Sequence, residues 1–148
     1  MISDLMNHGI KHKNGNHVGK TIIFAQNKRH AKYIIERFDV LYPQYKGAFC
    51  KLVVCDEPYA EKNLEDFKKP DEYPFITVTV DMLETGVDVP EITNLVFAKK
   101  VYSRIKFEQM IGRGTRLCEN LFGEGRDKKE FYIFDYMRNF QFFGENPK

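Results

Sequence analysis

The stretch TIIFA (residues 21–25) determines how the rest of this sequence is interpreted. It is short, rich in β-branched residues and almost continuously apolar, which is typical of a strand buried on both faces of a parallel sheet. Residues 28–41 follow with apolar side chains at helical spacing, and Pro43 ends this predicted helix. A buried strand followed by an amphipathic helix is the repeating unit of an α/β domain.

The same alternation continues along the chain. Further strands are predicted at residues 51–55, 75–80, 94–98 and 131–135, and further helices at residues 59–67 and 104–111. The pattern predicts an α/β domain of three layers, with a mainly parallel central sheet flanked by helices. We expect this domain to span residues 20–148, after a polar lead-in of residues 1–19 that holds a short helix and a linker.

The composition fits a single domain with its own core, because 43% of the 148 residues are hydrophobic. A formal net charge of +2 argues against coating nucleic acid by charge alone, although it is compatible with a local basic face. The three cysteines lack metal-ligand spacing and are expected to be reduced thiols, with Cys55 in the core. No stretch resembles a membrane span or a signal peptide, so we expect a cytoplasmic protein.

The triplet Gly19-Lys20-Thr21 resembles the end of a phosphate-binding P-loop, but the rest of that motif is missing. The motif needs a glycine where this chain has Asn14, and its Lys-Thr pair opens a helix whose N-terminus faces the phosphates. Here the pair opens a predicted strand instead. The sequence therefore lacks the parts that hold a triphosphate and its metal ion.

Functional residues are expected beyond the carboxyl ends of the predicted strands, because ligands of open parallel sheets bind there. These places follow Ala25, Val80 and Ala98. Four basic residues come after the last of them: Lys99, Lys100, Arg104 and Lys106. They can track phosphates, although a solvated face is the commoner role of such a run.

The segment VTVDMLETGVDVP (residues 78–90) follows one of these strands. Gly86 permits a tight backbone bend, and Asp88 just beyond it can accept a hydrogen bond from a ribose hydroxyl or orient a water molecule. Thr79 and the N–H groups after it can hold a nucleic-acid phosphate. Taken alone, the segment fits equally well as an ordinary turn with a capping aspartate.

The segment KFEQMIGRGTRL (residues 106–117) carries two arginines three residues apart. On a helix or its frayed end, Arg113 and Arg116 point the same way, and Gly112 and Gly114 leave room for a close approach. Neighbouring guanidinium groups repel each other, so the arrangement makes sense if they share an anion such as a terminal phosphate. A solvated basic turn, or pairing with nearby glutamates, is the alternative.

Three segments, taken in order, resemble the motifs of superfamily-two helicases. QMIGRGTR (residues 109–116) resembles motif VI, TGVDVP (residues 85–90) resembles motif V, and TIIFAQN (residues 21–27) with the helix after it resembles motif IV. The resemblance covers residues 20–135. Within the superfamily, residues 83–118 are most similar to the motor (R) subunit of type I restriction enzymes, and related restriction-type helicases stay open.

The resemblance implies the second RecA-like domain of an ATP-dependent DNA translocase or helicase. ATP, with its Mg²⁺, would be held by a first RecA-like domain of the same full-length chain, and this domain would close over the nucleotide. Arg116 would be the arginine finger, with Arg113 beside it on the γ-phosphate. Gln109 would position the nucleotide or a water molecule, and Gly86 and Asp88 would line the nucleotide cleft.

The resemblance also implies partners. Thr79 would contact the backbone of duplex DNA, with Gln26 and Asn27 as helpers. The modification and specificity subunits of a restriction complex are expected as protein partners, and the whole enzyme would be a type I site-specific deoxyribonuclease. The isolated domain is expected to be inactive. Two alternatives remain: half of a repair or RNA helicase, or a stand-alone α/β module or transferase that binds a phosphorylated ligand.

Other residues have plainer interpretations. The four histidines, His8, His12, His17 and His30, are expected in a solvated linker rather than at a metal, and no metal ligand is predicted. Asp135 is expected to act in a turn or as a cap. The C-terminal aromatic residues are expected in the core or at a domain interface rather than stacked on bases. They are Phe131, Tyr132, Phe134, Tyr136, Phe140, Phe142 and Phe143.

Overall fold

The predicted alternation of strands and helices is present in the computed structural model, which describes residues 1–81 and 88–145, the side chain of Glu145 excepted. Within these ranges the strands are β1 (Lys20–Phe24), β2 (Cys50–Leu52), β3 (Ile76–Thr79), β4 (Ile92–Phe97) and β5 (Tyr132–Asp135). The helices are α1 (Ile2–His8), α2 (Lys28–Leu41), α3 (Ala60–Phe67), α4 (Arg104–Gly112) and α5 (Asn139–Glu145). A single 3-10 turn, Pro43–Tyr45, follows α2.

The five strands form one sheet in the order β2-β3-β1-β4-β5, and every pairing in it is parallel. Strand β1 lies at the centre, where Ile22 is in register with Thr77 of β3 and with Leu95 of β4. Every residue of β1, β3 and β4 is buried. Both faces of a parallel sheet are covered, which explains the consecutive apolar residues 22–24 of β1 and 95–97 of β4.

Alternate side chains of the central strand enter two separate cores. Ile23 of β1 packs in the core beneath α1 and α2, together with Phe38 of α2. Ile22 of β1 packs in the core beneath α3, α4 and α5, together with Phe67 and Phe107. Successive side chains of a strand point to opposite faces, so one short strand supplies both cores. The three-layer α/β fold predicted from the sequence is therefore confirmed.

The lead-in packs onto the sheet. Its predicted short helix is present as α1, and Leu5 and Val18 belong to the core. Asn94 of β4, which is fully buried, accepts a hydrogen bond from the Ile10 N–H at 2.8 Å and donates one to the Ile10 carbonyl at 3.0 Å. One side chain thus fastens the lead-in to the centre of the sheet. The boundary at residue 19 stays a prediction.

The histidines of the lead-in correct one expectation. The side chain of His12 is 8% exposed and lies 3.2 Å from a carboxylate oxygen of Asp71, so it is not in a solvated linker. His17 stacks on His12 with ring centroids 5.2 Å apart, and both rings contact Phe75. The imidazole rings of His12 and His17 pack beside the sheet. The surrounding residues in the sequence are polar and gave no sign of this packing.

Two smaller expectations have opposite outcomes. Cys55 is exposed, because the edge strand β2 ends at Leu52 and the apolar run continues beyond it. The expectation that Cys55 is in the core was therefore wrong. Asp135 accepts hydrogen bonds from the Met137 and Phe140 N–H groups, so its expected turn and capping role is confirmed.

Among the described residues, no helix is long and apolar enough to cross a membrane.

Candidate functional site

Helix α4 and the turn after it carry the arginine-rich segment. The helix starts at a capping serine, since the Ser103 hydroxyl accepts from the Lys106 N–H at 3.3 Å. It ends in a tight turn, in which the N–H groups of Arg113 and Gly114 bond to carbonyls three residues earlier. Gln109, exposed on α4, lies one helical turn before Arg113. The spacing places Gln109 and Arg113 on one helix face.

The turn brings Arg116 onto Asp88. A guanidinium nitrogen of Arg116 forms an ion pair with a carboxylate oxygen of Asp88, although 28 residues separate them in the chain. The side chains are 56% and 52% exposed, respectively, so the pair lies in solvent rather than in the core. Arg113 is half-buried beside it in the chain. Two segments that the sequence singled out separately therefore meet in space.

Lys128 bridges the segment that carries Asp88 and the segment that carries Arg116. Its ammonium, buried with the residue only 3% exposed, donates to the carbonyl of Gly114 at 2.8 Å and to that of Pro90 at 3.1 Å. Its own N–H donates to the Cys118 carbonyl at 2.8 Å. Burial lowers the pKa of the Lys128 ammonium to about 8, which leaves it charged at neutral pH.

The loop between Cys118 and Lys128 is held by its own contacts. The Asn120 N–H donates to the Asp127 carboxylate at 2.9 Å, and the Asn120 side chain accepts from the Gly125 N–H at 2.8 Å. This loop, residues 119–127, therefore forms a unit that begins and ends at the Cys118–Lys128 bond.

The Asp88–Arg116 pair lies at the amino edge of the sheet, where the strands begin. Asp88 precedes β4, and Gly114 packs against Phe131, which precedes β5. We expected functional residues at the carboxyl edge, and the structure differs for Asp88, which lies just before β4, and for Arg113 and Arg116, which follow α4. For the two arginines the reason is α4, whose nine residues carry the chain back by roughly 13 Å from the end of β4.

The residues predicted to contact nucleic acid lie at the carboxyl edge. Gln26 and Asn27 follow β1, and Thr79 ends the neighbouring β3. Asn27 caps α2, since its side chain accepts from the His30 N–H at 2.8 Å. Gln26 is exposed, whereas Thr79 is 2% exposed. The Asp88–Arg116 pair thus lies at the opposite edge of the sheet from these three residues.

The basic run after β4 is used within the chain. Lys99 donates to the Val80 carbonyl at 3.1 Å, Arg104 donates to the Phe143 carbonyl at 2.9 Å, and Lys106 lies 3.9 Å from an Asp81 carboxylate oxygen. Lys100 lies over the Phe142 ring at 4.3 Å. These contacts tie α5 and the end of β3 to α4, a role that the sequence analysis did not consider.

Two sequence predictions remain, one for Gly86 and one for metal ligands. Gly86, predicted to line the nucleotide cleft, lies outside the described residues, as do residues 82–87 as a whole. Over residues 1–81 and 88–145, no group of three or more His, Cys, Asp or Glu side chains is arranged to hold a metal ion.

The triplet Gly19-Lys20-Thr21 has a structural role. Lys20 and Thr21 open β1, not a helix, as the sequence analysis predicted. The Lys20 ammonium donates to the carbonyls of Glu72 and Pro74 at 2.7 and 2.8 Å. Burial lowers the pKa of the Lys20 ammonium to about 8, and its hydrogen bonds are made to the chain itself.

One known family matches most of this sequence. Residues 2–118 match the family described as the helicase conserved C-terminal domain. The chain belongs to this family. Its all-parallel, five-stranded sheet flanked by helices is a RecA-like helicase domain.

Individual relatives are restriction enzymes. The chain is 41% identical over 124 residues to the type I restriction enzyme EcoKI endonuclease subunit of Escherichia coli K12, covering 78% of this chain and 10% of that protein. It is 29% identical over 137 residues to the EcoAI endonuclease subunit of Escherichia coli, covering 90% of this chain and 16% of that protein. This helicase domain therefore spans a small part of the curated relatives that it matches.

A solved structure supports the same relationship to type I restriction enzymes. A fragment assigned as the HsdR subunit of a type I restriction enzyme from Vibrio vulnificus YJ016 is similar with a TM-score of 0.71 and 32% identity, covering 80% of this chain and 23% of that one. The resemblance to the R subunit of type I restriction enzymes is confirmed by these comparisons.

Lys128 is the functional candidate that sequence reasoning missed. It stands in a polar loop beside Lys129, and the two residues look alike in the sequence. Lys129 is exposed, whereas Lys128 is buried. The distinction depends on which of the two side chains faces the Gly114 and Pro90 carbonyls, and no local pattern encodes it.

Proposed function

We propose that this helicase C-terminal domain is the second motor domain of an ATP-dependent DNA translocase, as part of a type I restriction enzyme R subunit. The observation that carries the proposal is the meeting of Asp88 and Arg116, from the segments that resemble motifs V and VI, at one exposed place beside Arg113. A first RecA-like domain of the full-length chain supplies the other half of the site.

Arg116 acts as the arginine finger in this proposal. When the two domains close, its guanidinium exchanges the Asp88 carboxylate for the γ-phosphate of ATP, with Arg113 beside it. Because both members of the ion pair are more than half exposed, the pair contributes little and its exchange costs little. A planar guanidinium offsets the charge that develops on the transferred phosphoryl group.

The other predicted roles stay with the residues named from the sequence. Gln109, on the face of α4 that leads to Arg113, positions the nucleotide or the attacking water. Asp88, once released, and Gly86 line the nucleotide cleft. Arg113, Arg116 and Gln109 fit the anionic end of a nucleotide rather than its metal, since their side chains donate hydrogen bonds. We therefore assign Mg²⁺ and the triphosphate cradle to the first domain.

Duplex DNA is proposed to run along the carboxyl edge. Gln26 is exposed there, and the N-terminus of α2 at Asn27 offers N–H groups and a favourable dipole to a phosphate. Thr79 is buried, so its contribution is proposed through the backbone that follows it. With ATP at one edge and DNA at the other, both ligands can be bound at once, as a translocation cycle requires.

The test is ATP hydrolysis by the full-length subunit with duplex DNA. We expect Arg116→Ala to lower kcat by roughly 10³-fold or more, with little change in the KM for ATP, because the finger acts on the transition state. Arg126→Ala is the matched control, since Arg126 is an exposed arginine of the nearby loop. Equal turnover of Arg116→Ala and wild-type protein would refute the proposal.

Two further measurements separate the alternatives. A stand-alone module for phosphorylated ligands predicts measurable binding of ATP to the 148-residue chain alone, whereas a half-site predicts feeble binding. Stimulation of hydrolysis by RNA in place of duplex DNA would assign the domain to an RNA helicase.

A further inference from the structure

Two segments of the chain converge on one buried ammonium, that of Lys128. Lys128 donates to the carbonyl of Pro90, which follows Asp88 closely, and to the carbonyl of Gly114, which lies between Arg113 and Arg116. Its backbone fixes a third segment through the bond to Cys118. The ammonium therefore contacts both chain segments that supply the exposed ion pair.

We propose that Lys128 is a positioning residue of the ATPase site: its ammonium fixes Gly114 relative to Pro90 and so aims Arg116 at the place where the phosphate binds. The inference rests on the proposed role of Arg116 as the finger. Lys128 does not touch the nucleotide itself, since its side chain is buried behind the turn.

The burial of this lysine supports a specific role. A buried cation is costly unless it is paired or well hydrogen-bonded, and here two carbonyl oxygens face it. An apolar side chain could fill the same volume without that cost, but it could not hold two carbonyls at a fixed separation. The adjacent Lys129 is exposed. The two lysines therefore differ in their contacts, although they are neighbours of the same residue type.

A second contact restrains the same turn. The Cα of Gly114 lies so close to Phe131 that an added Cβ would be 2.5 Å from the ring. The turn is thus held on its carbonyl side by Lys128 and on its Cα side by Phe131. These two restraints limit the movement of the backbone that carries Arg116, and a fixed position is what an arginine finger requires.

The experiment compares Lys128→Met with Lys129→Met in the full-length subunit. Methionine keeps the aliphatic stem of Lys128 and removes its donors. We expect Lys128→Met to lower kcat by roughly 10- to 100-fold with a nearly unchanged KM for ATP, as a misplaced catalytic group does. Lys129→Met should match the wild type, and Lys128→Arg, which keeps charge and donors, should restore part of the turnover.

A double-mutant cycle with Arg116→Ala identifies the route. If Lys128 acts through Arg116, adding Lys128→Met to Arg116→Ala lowers kcat by less than about twofold. An undiminished loss in the double variant, or equal turnover of Lys128→Met and Lys129→Met, would overturn the positioning role. Unchanged turnover in Arg116→Ala would instead refute the proposed function on which this inference rests.

Folding of the variant is controlled separately. Circular dichroism and the thermal midpoint are measured for each variant, since Lys128→Met leaves two carbonyls without a donor. If it does not fold, Lys128→Gln replaces it in the same cycle, because the amide still donates to one carbonyl. A Gln variant with wild-type kcat, or with a loss that adds fully to that of Arg116→Ala, contradicts the proposal as directly.

Discussion

Two glycines two residues apart in the chain, Gly112 and Gly114, should respond differently to the same substitution. In Gly114→Ala, the new Cβ would lie 2.5 Å from Cδ2 and 2.9 Å from Cε2 of Phe131, closer than side-chain carbons pack. Overpacking of this kind costs about 1–3 kcal/mol of unfolding free energy. For a domain of this size, we expect the thermal midpoint to fall by roughly 2–12 °C.

Gly112→Ala is the matched control. Gly112 is the last residue of α4, and nothing lies within 4 Å of a Cβ built there. Replacing a helical glycine by alanine restricts the unfolded chain and adds up to about 0.5–1 kcal/mol of stability. We therefore expect Gly112→Ala to unfold at the same urea concentration as the wild type or at a slightly higher one.

The assay is urea unfolding of the 148-residue chain, followed by circular dichroism, with equal m-values required for comparison. If both alanine variants shift the midpoint in the same direction and by the same amount, the contact between Gly114 and Phe131 is not what holds the arginine turn. The reasoning about that turn would then fail.

Two further predictions concern the lead-in. Asn94→Ala should lower the unfolding free energy by about 2–4 kcal/mol, since it removes both bonds to Ile10 and leaves two backbone groups unsatisfied; a urea midpoint within error of the wild type would contradict this. Burial first, and then the His17 charge, lower the pKa of His12 below its ordinary 6.5. The stability that neutral His12 contributes is therefore present above that value and is lost as the pH falls below it toward the folded-state pKa. Urea midpoints at about pH 7.5 and about pH 5.5 should differ less in His12→Gln than in the wild type, and an equal difference would refute the assignment.

Much of the fold was predictable because strands buried on both faces of a parallel sheet are marked by runs of consecutive apolar residues. The run at residues 21–25 is continuously apolar, and it proved to be the central strand, shifted by one residue. The edge strand was predicted less well: it was expected at residues 51–55, whereas β2 spans residues 50–52 and is followed by one further bond, from the Val53 N–H to the Val78 carbonyl. Apolar character reports burial, whereas strand ends depend on which neighbour is available for hydrogen bonding.

The candidate site was predictable in its residues but not in its geometry. Asp88 and Arg116 were each named from local patterns, yet their pairing depends on how α4 returns the chain to the amino edge. The rule that ligands bind at carboxyl strand ends misplaced Arg113 and Arg116, because it takes no account of a helix that carries residues to the far edge. Lys128 was missed for a similar reason, as only the fold brings it to the Gly114 carbonyl.

The self-contained loop of residues 119–127 offers a practical handle on this molecule. Its stem is closed by the bond between Cys118 and Lys128, so chain inserted near Glu124 would lengthen a hairpin-like tip without stretching the sheet. Glu124 is exposed, so a small fluorescent reporter attached to it would face solvent. Its emission could then follow, in real time, the approach of whatever binds near this loop.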